Sequence, residues 1–276
     1  MTGFFQDLRY NDLVMKVLNG SELAGFIKER QAREVRSLGM RPKLAIVQCK
    51  DDPVINTYVR LKKKYGADLG IDVDIHFVSQ EEIATLLQKL NADDTVHGVI
   101  VQLPLTDPSQ TDEIVNMVAP EKDVDALGKD AKFDPATPMA IMWLLSGYNV
   151  DLKNKHILLV GRGKLVGAPL EKILKNSGLD AEVIDREAKD LGQHTKEADV
   201  IITATGSPAI LYSSMIKKGA VVVDAGVASE EGKTVGDLAD DVYERDDLTI
   251  TPKKGGVGPL TVCALFENVI RAGSVA

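Results

Sequence analysis

Two stretches of this sequence carry residue types at spacings suited to chemistry. In "NTYVRLKKKYG" (56–66), Tyr58 and Lys62 are four apart, so a helix stands a phenol one turn before an ammonium on the same face, while Lys63 and Lys64 point elsewhere. A lysine so placed can move protons or hold a charge still. A lysine run on a solvated helix flank does neither, and the stretch by itself allows both readings. In "ILLVGRGKLVGAPLEKIL", Gly161, Gly163 and Gly167 mark a tight turn between a strand and a helix. Backbone can approach a pyrophosphate closely there, and the helix N-terminus favours its charge. The spacing is GxGxxxG, one residue longer than the usual dinucleotide fingerprint.

The strand after that turn ends at Asp185, where an acid suits the free 2′-hydroxyl of NAD and repels the 2′-phosphate of NADP. Arg162, Lys164 and Arg186 pull the other way, since each can meet a phosphate. A water-exposed loop acid is the plainer account of Asp185. "ITATGSP" (202–208) places Thr205 and Gly206 at the end of a third strand, where an open α/β sheet binds ligands or simply turns tightly into a helix.

The elements that must position these groups follow from the hydrophobic pattern. Short apolar runs, "KLAIVQC", "IDVDIHFV" and "HGVIVQLPL", alternate with longer amphipathic stretches, and a second series runs through "KHILLVG", "AEVID", "DVIITATG", "AVVVDAG" and "LTITP". Such alternation predicts two α/β domains with parallel sheets, the second of Rossmann type. "TPMAIMWLLSGYNV" (137–150) predicts a connecting helix, and the apolar tail "GPLTVCALFENVIRAG" a C-terminal helix that returns to the first domain. The expected division is 1–140 plus about 255–276 for a substrate domain and 141–254 for a dinucleotide-binding domain.

With 276 residues and 44% hydrophobic content the chain can bury a sizeable core. Its 33 basic against 41 acidic residues, a formal charge of -8, argue against nucleic acid or an anionic membrane as partner and for a small molecule. Cys49 and Cys263 form no disulfide or zinc pattern, and the four scattered histidines give no metal-site spacing, so no metal and a reducing cytoplasm are expected. The start "MTGFFQDLRYND" lacks a signal peptide's apolar core, and no apolar run approaches the roughly 18 residues of a membrane helix.

Taken in order, "YVRLK", "GVIVQLPL", "PEKDVDAL", "VGRGKLVGAP" and "TPKKGGVGPLTV" resemble the bifunctional methylenetetrahydrofolate dehydrogenase/methenyltetrahydrofolate cyclohydrolase family, over nearly the whole chain. The YxxxK pair also occurs in short-chain dehydrogenases, but there the glycine turn precedes it. The resemblance implies NAD(P)-dependent oxidation of 5,10-methylenetetrahydrofolate and hydrolysis of the methenyl product to 10-formyltetrahydrofolate. NADP is the commoner cofactor in the family, NAD the other candidate, and a homodimer the implied assembly. It further implies that Tyr58 stacks on the folate, that Lys62 lies at the reacting one-carbon bridge, and that Gln102 positions Lys62. Asp125 reads the pterin edge, while Gly256, Pro259 and Thr261 shape the substrate site.

The chain departs from the family pattern at Ile55, where a serine is usual, at Ala126 in place of the glycine of "VDG", and at Lys253 and Lys254 in the last loop. These departures bear on substrate positioning and on the balance of the two activities. The competing readings are a monofunctional dehydrogenase, a two-domain amino-acid or shikimate-type dehydrogenase, and a dinucleotide-responsive binding protein without catalysis.

Overall fold

A computed structural model describes residues 16–230 and 233–275. The start "MTGFFQDLRYND", and with it the first fifteen residues of the expected substrate domain, lie outside the described residues. The chain begins with β1 (Lys16–Val17), α1 (Gly20–Ser37), β2 (Lys43–Gln48), α2 (Pro53–Leu69), β3 (Asp72–Phe77), α3 (Ile83–Ala92), β4 (Gly98–Val101), α4 (Thr111–Val115) and α5 (Ala136–Gly147). It continues with β5 (Ile157–Val160), α6 (Gly167–Asn176), β6 (Ala181–Ile184), α7 (Leu191–Glu197), β7 (Val200–Thr203) and β8 (Val221–Asp224). β9 (Ala228–Glu230), β10 (Lys233–Val235), β11 (Thr249–Ile250) and α8 (Val257–Val275) complete it.

Internal contacts divide the chain into Ser21–Ala140 with Gly258–Ala276, and the residues up to Gly20 with Ile141–Val257. This differs from the expected division at its start. β1 pairs in parallel with β11, through Lys16 with Thr249 and Val17 with Ile250, and so joins the sheet of the second unit. Two residues of strand are too few to read from a hydrophobic pattern.

The unit of 21–140 and 258–276 is built on three parallel strands in the order β3-β2-β4. β2 shows no polar alternation because both its faces are covered, and Leu44, Ala45, Ile46 and Val47 are fully buried. Ala45 and Val47 meet Ile83 and Leu87 of α3 together with Val99 and Val101 of β4. Helix α2 starts where the Asp52 carboxylate accepts from the Val54 and Ile55 N–H groups with Pro53 just inside, and stops at Gly70 with φ +85°. Its buried residues Ile55, Val59, Gly66 and Leu69 form one stripe. Gly66 lets the helix lie close on β3, since a Cβ there would stand 2.4 Å from Val73 Cγ2. The apolar tail forms α8, whose Leu260, Phe266, Val269 and Ile270 are buried, and Asn268 ties it down by donating to the Val124 and Asp134 carbonyls at 2.9 Å each.

The second unit is a six-stranded parallel sheet, β1-β11-β8-β7-β5-β6, with a small antiparallel pair β9 and β10. β5 and β7 are buried along their length, as strands covered on both faces must be. The chain leaves β5 for its edge neighbour β6 and then crosses back to β7 on the other side. The two connections therefore diverge at the carboxyl ends of β5 and β7, the place where such sheets hold ligands.

Candidate active site

Lys62 stands on α2 between Val59 and Gly66, half-buried on the side of the buried stripe, whereas Lys63 and Lys64 are exposed. Four hydrophobic or small residues at helical spacing therefore carry one ammonium inward with them. Burial pulls the Lys62 pKa below the ordinary lysine value, and the nearby Asp125 carboxylate works against that shift. The Lys62 Nζ donates to Gln102 Oε1 at 2.9 Å. Gln102 follows β4, its backbone N–H bonded to the Val47 carbonyl, and its Nε2 donates to the Leu103 carbonyl at 3.0 Å. With the amide nitrogen so engaged, the oxygen is left facing the lysine. Tyr58 lies half-buried one turn before Lys62.

Asp125 is carried on a turn whose anchors were not read from the sequence. Asp123, only 3% exposed, accepts from the Gly128 N–H at 2.7 Å and the Leu127 N–H at 3.4 Å, and burial raises its pKa. The Lys122 ammonium donates to the Leu90, Asn91 and Asp93 carbonyls at the end of α3, fixing the turn to that helix. At Ala126 the backbone has φ +55°, the left-handed region that glycine adopts without strain. In "KDVDAL" the acid that packs is thus the first, and the second is held out by it.

The second unit holds a pocket of about 380 Å³ at the strand ends described above. Gly161, Arg162 and Gly163 follow β5, Asp185, Arg186 and Glu187 follow β6, and Ala204 and Thr205 follow β7. Gly161 has φ +100°, and a Cβ there would stand 2.7 Å from the Ala204 carbonyl oxygen. A Cβ on Gly167 would lie 2.0 Å from the Gly161 oxygen, so this glycine seats α6 against the turn. Gly163 has open space in the Cβ direction, room that a closely approaching phosphate can use. A dinucleotide fits these features, and any of Gly161 to Gly163 can present backbone to it.

Side chains around the pocket are partly engaged with one another. Arg162 donates to both carboxylate oxygens of Glu171, at 2.9 and 3.2 Å, and the Arg186 guanidinium donates to Ser207 Oγ at 2.7 Å. Asp185 lines the pocket and is exposed. Lys164, exposed on the turn, and Gly206, with φ +63°, belong to the flanking loops and do not line it; Glu187 and Ala204, which the sequence reading passed over, do. Gly256 is buried beside Thr251 in the same unit, and Lys253 bonds Asp240 Oδ1 at 2.7 Å and stands over the Tyr243 ring. Pro259 and Thr261 open α8, in the other unit, where Thr261 Oγ1 donates to Thr137 Oγ1 at 3.4 Å.

The family model described as "Tetrahydrofolate dehydrogenase/cyclohydrolase, catalytic domain" matches residues 18–125, and that described as "Tetrahydrofolate dehydrogenase/cyclohydrolase, NAD(P)-binding domain" matches residues 135–276. "Bifunctional protein FolD" of Campylobacter jejuni (strain RM1221) is 36% identical, over 94% of this chain and 98% of its own length. The crystal structure of the bifunctional methylenetetrahydrofolate dehydrogenase/cyclohydrolase from C. jejuni superposes with a TM-score of 0.88 at 35% identity, covering 95% of this chain and 99% of that one. The Trypanosoma brucei enzyme, complexed with NADP cofactor and inhibitor, gives 0.87 at 29% identity, covering 95% and 98%.

Proposed function

The chain belongs to the tetrahydrofolate dehydrogenase/cyclohydrolase family, and on that premise we propose how its own residues carry the two reactions. The enzyme oxidises 5,10-methylenetetrahydrofolate to the 5,10-methenyl compound and hydrolyses this to 10-formyltetrahydrofolate, in one-carbon metabolism. Relatives named as bifunctional, matched over nearly the full length, favour this over the monofunctional, shikimate-type and non-catalytic readings.

NADP, when bound, supplies the hydride acceptor, and Gly161, Gly163 and Thr205 line the pocket assigned to it. Arg162 and Arg186, which line the pocket, and Lys164 on the flanking turn are the cations proposed to meet its phosphates, while Asp185 is the group that would favour NAD in its place. Gly167 and Gly206 shape the flanking turns. In the folate site Asp125 accepts from the pterin N–H groups and Tyr58 stacks on the ligand, which fixes the orientation that hydride transfer needs. Pro259 and Thr261, at the start of α8 in the same unit, shape that site.

Hydrolysis then turns on Lys62. Burial shifts its pKa toward the neutral amine, and in this reading the amine takes a proton from the water that attacks the methenyl carbon. The ammonium so formed gives a proton to the ring nitrogen as the carbon–nitrogen bond breaks, and the hydroxyl proton of the intermediate leaves to solvent as the formyl C=O forms. Gln102 keeps the amine in place. The observation that carries this reading is the half-buried Lys62 held at 2.9 Å by Gln102 with Asp125 nearby.

A homodimer is the proposed assembly. The outer edge of β3 has no strand partner among the described residues, and it presents Phe77, 60% exposed, and Ile75, 37% exposed, as a surface suited to a second copy. We place the protein in the cytoplasm, with which the two unpaired thiols accord. Among the described residues no helix is long and apolar enough to cross a membrane. The deciding experiment is turnover of methylenetetrahydrofolate with NADP and with NAD, following reduced nucleotide and methenyl compound together. Formation of both, with the methenyl compound then decaying, is expected; absence of reduced nucleotide with either cofactor would sink the reading.

A further inference from the structure

Behind the floor of the dinucleotide pocket two aspartates serve no step of the proposed reaction. Asp237 is fully buried, and its carboxylate accepts from the Thr205 N–H at 2.8 Å through Oδ2 and from the Ser207 N–H at 3.0 Å through Oδ1. One side chain thus brackets Gly206, whose φ is +63°. Thr205 lines the pocket, and the Ser207 hydroxyl receives Arg186 at 2.7 Å.

Asp237 is itself held. Its N–H donates to Asp224 Oδ1 at 3.1 Å, and that carboxylate also accepts from the Gly226 N–H, the Thr203 hydroxyl, the Leu238 N–H and, at 3.4 Å, the Tyr243 hydroxyl. The two aspartates and two glycines interlock. A Cβ on Gly226 would lie 2.0 Å from Asp237 Oδ1, and a Cβ on Gly236 2.0 Å from Asp224 Oδ2, so each carboxylate fills the space that the other segment's glycine leaves.

We infer that Asp237, backed by Asp224, is a positioning residue for the dinucleotide: it fixes the 204–207 loop in the shape that receives the cofactor. The inference rests on the reading of this pocket as the dinucleotide site. A loop ordered beforehand need not be ordered when the ligand arrives, so loosening it weakens binding while leaving the bound complex competent. A carboxylate suits the task because both N–H groups need an acceptor, whereas an amide offers one oxygen and turns an NH₂ toward the other donor.

The test is Asp237→Asn, read as the Kd for NADP by calorimetry together with KM, kcat and methenyl hydrolysis. The expected result is Kd and KM for NADP raised about tenfold, kcat at saturation and hydrolysis each within about twofold of the parent. Unchanged NADP affinity would overturn the inference, as would a fall of hydrolysis and dehydrogenation together, which marks a residue of general stability. Should Asp237→Asn not fold, Thr203→Val decides. It removes one hydroxyl from Asp224, and a Kd raised about threefold supports the inference while an unchanged Kd ends it. If the parent binds NADP but reduces none of it, the functional reading fails and the calorimetric comparison still tests the loop.

Discussion

Gln102 offers its side-chain oxygen to Lys62 at 2.9 Å because its nitrogen already donates to the Leu103 carbonyl at 3.0 Å. The lysine is therefore held by a neutral acceptor, which leaves its proton free to leave. A carboxylate in the same place would hold the proton on.

That contrast gives the first prediction. Gln102→Glu should raise the Lys62 pKa and shift the rising limb of the hydrolysis pH profile upward by about 1 to 3 units. Asp125→Ala removes a charge that favours the ammonium, so it should shift the limb downward. The same variant should weaken folate binding by about 1 to 3 kcal/mol, because the pterin N–H groups lose their acceptor. Methenyl hydrolysis measured across pH, with folate affinity by fluorescence, checks both; limbs that move together in one direction would contradict the assignment.

Lys62→Met should lower methenyl hydrolysis at least about 100-fold while NADP binding stays intact. It should also stabilise the protein. The folded-state pKa of Lys62 is lowered, so the unfolded chain binds more protons between the folded and unfolded values, and stability rises with pH there. The destabilisation is complete below the folded pKa and gone above the unfolded one. Methionine removes it, so the variant should melt above the parent near neutral pH. Thermal melts of the two proteins should converge as pH rises toward the ordinary lysine value; a gap that widens instead would refute this.

Asp185→Ser should move the kcat/KM ratio of the two cofactors toward NADP, since a carboxylate at the end of β6 faces the added phosphate. Arg162 is tied to Glu171 and Arg186 to Ser207, so neither cancels that repulsion without giving up a partner. A ratio that does not move would show Asp185 turned to solvent in the complex.

Ala126→Gly should stabilise the protein by about 0.5 kcal/mol. Relief of the left-handed strain at φ +55° exceeds the added freedom of glycine in the unfolded chain. Urea unfolding with equal m-values gives the comparison, and a lower midpoint for the glycine variant would count against strain at this position.

The central parallel strands of both units were legible because strands covered on two faces read as continuous apolar runs, and the glycine turn announces a strand followed by a helix; β1, α1 and the β9–β10 pair were not. Lys62 was more legible than its charged neighbours suggest. Ile55, Val59, Lys62, Gly66 and Leu69 follow one another at spacings of three and four, so a helical projection alone separates Lys62 from Lys63 and Lys64. Asp123, Asp224 and Asp237 were not legible. Most of their partners are backbone N–H groups, which every residue has: those of Asp123 lie four and five residues along its own turn, and those of Asp224 and Asp237 come largely from segments distant in sequence. The same holds for Arg162, whose choice of Glu171 is decided by how α6 seats on Gly161 and Gly167.

The placement of Lys62 in the packed stripe of α2 couples reading frame to chemistry. Inserting or deleting one residue between Asp52 and Lys62 turns everything beyond it by about 100°, a third of a helical circumference. Such a change carries the ammonium off Gln102 and, in the same motion, lifts Gly66 and Leu69 from the strands beneath. Length variation in this helix is thus policed twice, and drift that would silence the site without harming the fold has to come through substitution alone.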